Sequence, residues 1–214
     1  MMKTLVCFGD SNTYGTPPLG VLGESRRYAM QERWPGVLRA SLGEAWHVVE
    51  EGLPGRTTVH DDPIEGAHRN GLTVLLALLE SHNPIDLVSV MLGTNDLKTR
   101  FSVGAEDIGF SLERLLGVIL ASRSGPNGRP PAVLLIAPVP IREVGLLEPM
   151  FRGGAAKSRD LGRVCADVAK RAGVGFLDAA TVAEVDPDEG IHLSVAAHAA
   201  LAKAVHSWIA ASGP

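Results

Sequence analysis

Cysteine is nearly absent: the 214 residues hold two, Cys7 and Cys165. A disulfide framework is therefore excluded as the source of stability, and both thiols read as free, buried structural groups. An excess of one charge sign is also lacking. Twenty Lys and Arg against 24 Asp and Glu leave a formal net charge of -4. With the signs mixed along the chain there is no basic stripe for nucleic acid, so no polyanionic partner is expected. No apolar run approaches the ~20 residues needed to cross a bilayer, and no membrane partner is expected either. Internal repeats and low-complexity tracts are missing. Met1-Met2-Lys3 enters an apolar run at once, without the charged, apolar and small-residue regions of a leader, so the expected location is cytoplasmic. What is present is 45% hydrophobic and 21% charged residues. That composition suits one α/β domain over residues 1–214, large enough to bury a core unaided.

Short apolar runs rich in β-branched residues mark the strands. Lys3 to Phe8 stops at Gly9, His47 to Glu51 at Gly52, Asp86 to Leu92 at Gly93 and Ala132 to Ala137 at Pro138. Val174 to Asp178 supplies a fifth. Between them lie stretches of helical spacing: Pro35 to Leu42 with proline near its start, Gly71 to Ser81, Asp107 to Ser122, Ala155 to Ala172, and Ser194 to Ala211 with Ser194 as N-cap. Strands alternating with helices imply a five-stranded parallel sheet with helices on both faces, a three-layer α/β sandwich. In such sheets ligands bind beyond the carboxyl ends of the strands.

Four segments are delivered to that edge: Gly9-Asp10-Ser11-Asn12, Gly52-Leu53-Pro54-Gly55, Gly93-Thr94-Asn95-Asp96 and Asp188-Glu189-Gly190-Ile191-His192. Each alone is ordinary turn vocabulary. Together they hold a hydroxyl nucleophile, oxyanion donors and an acid–base pair. A serine hydroxyl needs a positioned base to take its proton, and imidazole titrates near neutrality. Ser11 and His192 are therefore the candidate nucleophile and base. Histidines 82, 198 and 206 read as solvated or satisfied structural residues.

This ordered set resembles the SGNH (GDSL-type) hydrolases, a flavodoxin-like family of esterases and lipases. Longer matches, including Arg33-Trp34-x-Gly36-Val37-Leu38, Arg56-Thr57-Thr58 and Met91-Leu92-Gly93-Thr94-Asn95-Asp96, are similar to its mycobacterial arylesterase/acyltransferase branch. The resemblance spans nearly the whole chain. It implies a Ser-His-acid triad without cofactor or metal, and an oxyanion hole from the backbone N–H groups of Ser11 and Gly55 and the side-chain amide of Asn95. Gly52 competes with Gly55 in its block. The resemblance also puts Asn12, Thr94 and Ile191 beside the substrate, with Asn12 standing where leucine is usual.

The acid departs from the family spacing of Asp-x-x-His. Glu189 stands three residues before His192 and Asp188 four, and Glu189 is favoured because either carboxylate type can accept the Nδ1–H bond. A Glu-x-x-His zinc site lacks further ligands at metal spacing. Asp10 and Asp96 read as structural carboxylates that hold Ser11 and Asn95, and Arg33, Arg56, Asp61 and Asp62 as loop ion pairs. Residues 16–32 and 139–154 fall outside the strand-and-helix frame. The apolar content of Ile141, Val144, Leu146, Leu147, Met150 and Phe151 predicts an exposed patch and, with the resemblance, a homo-oligomer, an octamer in the mycobacterial relative; a self-packed lid on a monomer is the alternative. The expected activity is serine esterase on short-chain or aryl esters, with acyl transfer or perhydrolysis where water is displaced. Carbohydrate O-deacetylase, thioesterase and an idle binding module of the same fold are the alternatives.

Overall fold

A computed structural model describes residues 2–214. Its sheet comprises β1 (Lys3–Gly9), β2 (Trp46–Gly52), β3 (Leu87–Met91), β4 (Ala132–Ala137) and β5 (Gly175–Asp178), each bound within one residue of the span its sequence suggests. The strands lie in the order β2-β1-β3-β4-β5, and every neighbouring pair is parallel. The chain thus winds one way from β1 to β2 and the other way from β1 to β3, which opens a crevice at the carboxyl ends of β1 and β3.

The α-helices are α1 (Ser11–Tyr14), α2 (Trp34–Leu42), α3 (Gly71–Ser81), α4 (Ala105–Ala121), α5 (Glu148–Phe151), α6 (Gly154–Ala172) and α7 (Val195–Ser212). Local chemistry sets their ends. Pro35 sits in the first turn of α2, where its missing N–H costs nothing. Asn70 caps α3 by accepting the Leu72 N–H at 3.0 Å, and Ser194 caps α7 by accepting the Ala197 N–H at 3.2 Å.

Strand alternation divides the core into two layers. Val6 and Phe8 of β1 point with Val88 and Val90 toward α3, α4 and α6, where Leu79, Leu112, Leu116 and Cys165 are buried. Leu5 and Cys7 point the other way, with Leu134 and Ile136, onto Trp34 and Leu38 of α2 and Leu201 and Val205 of α7. Truncating one of these core leucines to alanine removes about 2–5 kcal/mol. Both cysteines are buried and free, as expected. No helix among the described residues is long and apolar enough to cross a membrane.

Segment 139–154 corrects one expectation. It folds into a 3-10 turn at Gly145–Leu147 and then α5, and it turns Ile141, Leu147 and Phe151 inward onto the core around Leu97 and Ile108. Of the six apolar residues expected at the surface only Leu146 is exposed. A loop anchored by a helical turn can bury its own side chains, which composition alone does not reveal. Apolar exposure is instead found at Val21, Leu22 and Ile64.

Candidate active site

The end of β1 places Ser11 by a tight turn. Asp10 is the N-cap of α1, and its Oδ1 accepts the Asn12 N–H at 3.0 Å, so the chain reverses straight from strand into helix with Ser11 as its first residue. Since α1 has only four residues, its dipole adds little to the site. At the end of β2, Gly52 lies against the Thr13–Tyr14 backbone, and a Cβ there would overlap Tyr14 N. Its glycine is required by the close approach of α1 to the sheet. Gly55, three residues on, has φ +77°, a left-handed conformation that turns the loop back toward Ser11.

The acid and base come from the loop between β5 and α7. His192 Nδ1 lies 2.6 Å from Glu189 Oε1, while Glu189 Oε2 accepts the backbone N–H groups of Ile191 at 2.9 Å and His192 at 2.8 Å. Both side chains are buried. Burial alone raises the Glu189 carboxyl, but the hydrogen bond and charge of His192, with the two backbone donors, outweigh it and hold the carboxyl below its ordinary value. With Nδ1 engaged by the carboxylate, Nε2 is the ring nitrogen left to exchange a proton with a nucleophile. Asp188 is exposed on the outer side of the same turn.

Asn95 begins a 3-10 turn after β3. Its Nδ2 donates to the Arg56 carbonyl at 3.1 Å and makes a long contact of 3.4 Å with Asp10 Oδ2. Asp96 Oδ1 accepts the Thr58 hydroxyl at 2.5 Å, and the Thr58 N–H lies 3.0 Å from Oδ2. Burial pushes the Asp10 carboxyl up to about 6 and that of Asp96 up to about 7.

Ser11, Gly55, Asn95, Ile191 and His192 all line one cavity of about 660 Å³. Its lining includes the apolar Leu19, Leu22, Leu147, Met150 and Phe151 and the charged Glu65, Arg69 and Lys98. Lys98 is only 3% exposed and lies 2.5 Å from Glu65 Oε1 and 3.6 Å from Asp62. Arg100 meets Glu65 at 3.1 Å from behind. This charged set escapes sequence reasoning, since Glu65 and Arg69 come from the connection between β2 and α3 and Lys98 from the one after β3, with no shared motif.

Two expected substrate contacts are not in the lining. Asn12 donates from Nδ2 to the Ile191 carbonyl at 3.1 Å and accepts the Leu193 N–H at 3.0 Å, so both polar atoms tie α1 to the histidine loop. Thr94 is buried at the start of the Asn95 turn, behind the cavity. The loop ion pairs are also redistributed. Arg33 pairs with Glu50, and Asp62 with Arg100 and Lys98. Asp61 instead accepts from Asn70 Nδ2 at 2.8 Å, and Arg56 contacts backbone carbonyls rather than a carboxylate. Of the other histidines, His82 lies 2.9 Å from Glu51, while His198 is fully buried and accepts the Trp34 N–H at 3.3 Å.

Residues 7–200 match the model of the GDSL-like lipase/acylhydrolase family. The chain belongs to that family. It is a carboxylic ester hydrolase of the SGNH type, with the flavodoxin-like α/β fold. Similar solved structures include a carbohydrate acetylesterase from Sinorhizobium meliloti, 37% identical over 98% of this chain and 99% of the other with a TM-score of 0.93. The native aryl esterase of M. smegmatis is 36% identical over 98% and 99% of the two chains, also with a TM-score of 0.93. A second carbohydrate acetylesterase family member from Sinorhizobium meliloti is 35% identical over 97% of each, with a TM-score of 0.90. Comparison with curated proteins returns no match.

Proposed function

We propose that this acylhydrolase, acting as one catalytic unit over residues 1–214, cleaves short-chain esters through an acyl-enzyme on Ser11. The observation that carries the reading is the buried Glu189–His192 pair at 2.6 Å in the cavity that Ser11 lines. Ser11 Oγ attacks the ester carbonyl as its proton passes to His192 Nε2. Glu189 fixes the tautomer and stabilises the imidazolium that forms. The carbonyl oxygen becomes an oxyanion between the Ser11 and Gly55 N–H groups and the Asn95 amide, whose 3.4 Å contact with Asp10 is long enough to be exchanged for it. On collapse the leaving alcohol takes the proton from His192. Water then attacks the acyl-enzyme by the reverse proton path, and an alcohol or peroxide in its place gives transfer or perhydrolysis.

The mixed lining bears on the substrate. The apolar residues accommodate an aryl or alkyl group, and the similarity to an aryl esterase favours such esters. Glu65, Arg69 and Lys98 offer acceptors and donors to hydroxyl groups, which favours acetylated carbohydrate as the second reading, as does the similarity to a carbohydrate acetylesterase. A homo-oligomer is part of the proposal, supported by exposed Leu22 and Val21 beside it and by Ile64 next to Glu65 at the cavity mouth. Light scattering should report a mass well above the 22.6 kDa of one chain.

Ser11→Ala tests the chemistry. Turnover of p-nitrophenyl acetate should fall by about 10⁶-fold, the scale of nucleophile loss in a serine hydrolase, with the melting transition unchanged. Retention of more than a few per cent of activity in contamination-free protein overturns the assignment.

A further inference from the structure

Arg56 is a buried cation that no carboxylate touches within ion-pair distance among the described residues, and 5% of it is exposed. Its Nη1 donates to the carbonyl of Gly9, the last residue of β1, at 2.9 Å and to that of Glu51, the last but one of β2. The guanidinium lies over the Phe8 ring, with its central carbon 4.4 Å from the ring centroid. The main chain of the same residue is engaged as well. Its N–H donates to the Leu53 carbonyl at 3.1 Å, and its carbonyl accepts Asn95 Nδ2 at 3.1 Å.

One residue therefore grips the backbone just before Asp10-Ser11 with its side chain and the Asn95 amide with its carbonyl. We infer that Arg56 is a positioning residue that fixes the span between the Ser11 nucleophile and the Asn95 oxyanion donor, an inference that rests on the proposed roles of those two residues. The span matters because a displacement of about 1 Å at a reacting centre can cost about 10²-fold in rate.

The residue type fits the task. Carbonyls of adjacent parallel strands, Gly9 and Glu51, offer two acceptors side by side, and a planar guanidinium serves both while its face stacks on Phe8. A lysine ammonium can reach a carbonyl but has no face to stack. The choice carries a burden. Burial pulls the guanidinium down to about 10, with Glu51 and Asp10 acting against that fall, so the group stays charged at neutral pH. A protein that needed only to fill this space would be served by an apolar side chain, since a buried cation must be desolvated.

The test combines Arg56→Met, Arg56→Lys and Asn95→Ala, singly and in pairs, with p-nitrophenyl acetate as probe and assays below each variant's melting transition. Arg56→Met should lower kcat by about ten- to hundredfold while KM moves less than about threefold, with Arg56→Lys between it and wild type. If Arg56 acts through Asn95, adding Asn95→Ala to Arg56→Met should cost at least tenfold less than it does in the wild-type background. Should Arg56→Met fail to fold, the same comparison is read from Arg56→Lys. A kcat within twofold of wild type, or losses that simply multiply, overturns the positioning role while leaving the Ser11 chemistry intact. If Asn95→Ala alone leaves kcat unchanged, the oxyanion reading of Asn95 and the role of Arg56 fall together.

Discussion

Beneath the floor of the cavity the polar side chains are tied down: Glu189 to two backbone N–H groups and His192, Asn12 to Ile191 and Leu193, Asp96 to the N–H and hydroxyl of Thr58. At the rim Val21, Leu22 and Ile64 are 67%, 59% and 76% exposed, and Glu24 and Arg26 form an open ion pair of 2.6 Å. Buried charge-assisted bonds act in a low dielectric and hold one geometry, whereas an exposed pair is worth at most about 1 kcal/mol. The proposed chemistry accordingly belongs to the floor, and the proposed selection of substrate to the rim. Substitutions below should lower kcat; those above should move KM.

The sharpest break of that contrast is Glu189→Gln. An amide can donate to Nδ1 and favour the wrong tautomer, so kcat should fall by roughly 10⁴-fold, while Asp188→Asn, on the exposed side of the turn, should stay within about twofold. Next comes Asn95→Ala, with kcat lower by ~10²–10³ and KM nearly constant. A change confined to KM would move Asn95 from oxyanion donor to substrate contact. At the rim, Leu22→Ala should raise KM for an aryl ester roughly three- to tenfold through lost apolar contact and leave kcat alone.

The smallest effect is on stability. The folded-state pKa values of Asp10 and Asp96 are raised to about 6 and about 7 by burial, so the fold holds their protons more tightly than the unfolded chain does. Their contribution is full below the unfolded carboxylate range and is lost as pH rises through about 6 to 7. Glu189 has the opposite sign, because its pKa is lowered, and its contribution is lost only in acid. The gain in melting temperature between pH 8 and pH 5.5 should therefore be smaller in Asp96→Asn than in wild type. Equal gains would show that Asp96 does not titrate in that window.

Much of the floor was legible in the sequence because its parts follow strand ends: an apolar run stops at Gly9 or Gly93 and polar residues come next, and the run that stops at Gly52 leads to Gly55. Glu189 was legible as well, since a three-residue spacing on a tight turn brings a carboxylate back onto its own imidazole. Three features were not. Asn12 carries no mark of the partners 179 and 181 residues away that engage its amide. Arg56 reads as half of a loop ion pair until Gly9 and Glu51 are seen side by side. The burial of Leu147 and Phe151 depends on α5 packing against the Thr99–Phe101 turn and on the core shared with Leu97 and Ile108, and hydropathy cannot distinguish that from an exposed patch.

The central claim is a Ser11 nucleophile activated through His192 by Glu189, and the rate of covalent capture by a serine-directed phosphonate measures it directly. Intact-mass analysis should show one adduct per chain, mapped to Ser11, forming at the same rate in wild type and Asp188→Asn and more than a hundredfold more slowly in Glu189→Gln. An adduct on any other residue, or equal rates in Glu189→Gln and wild type, would contradict it.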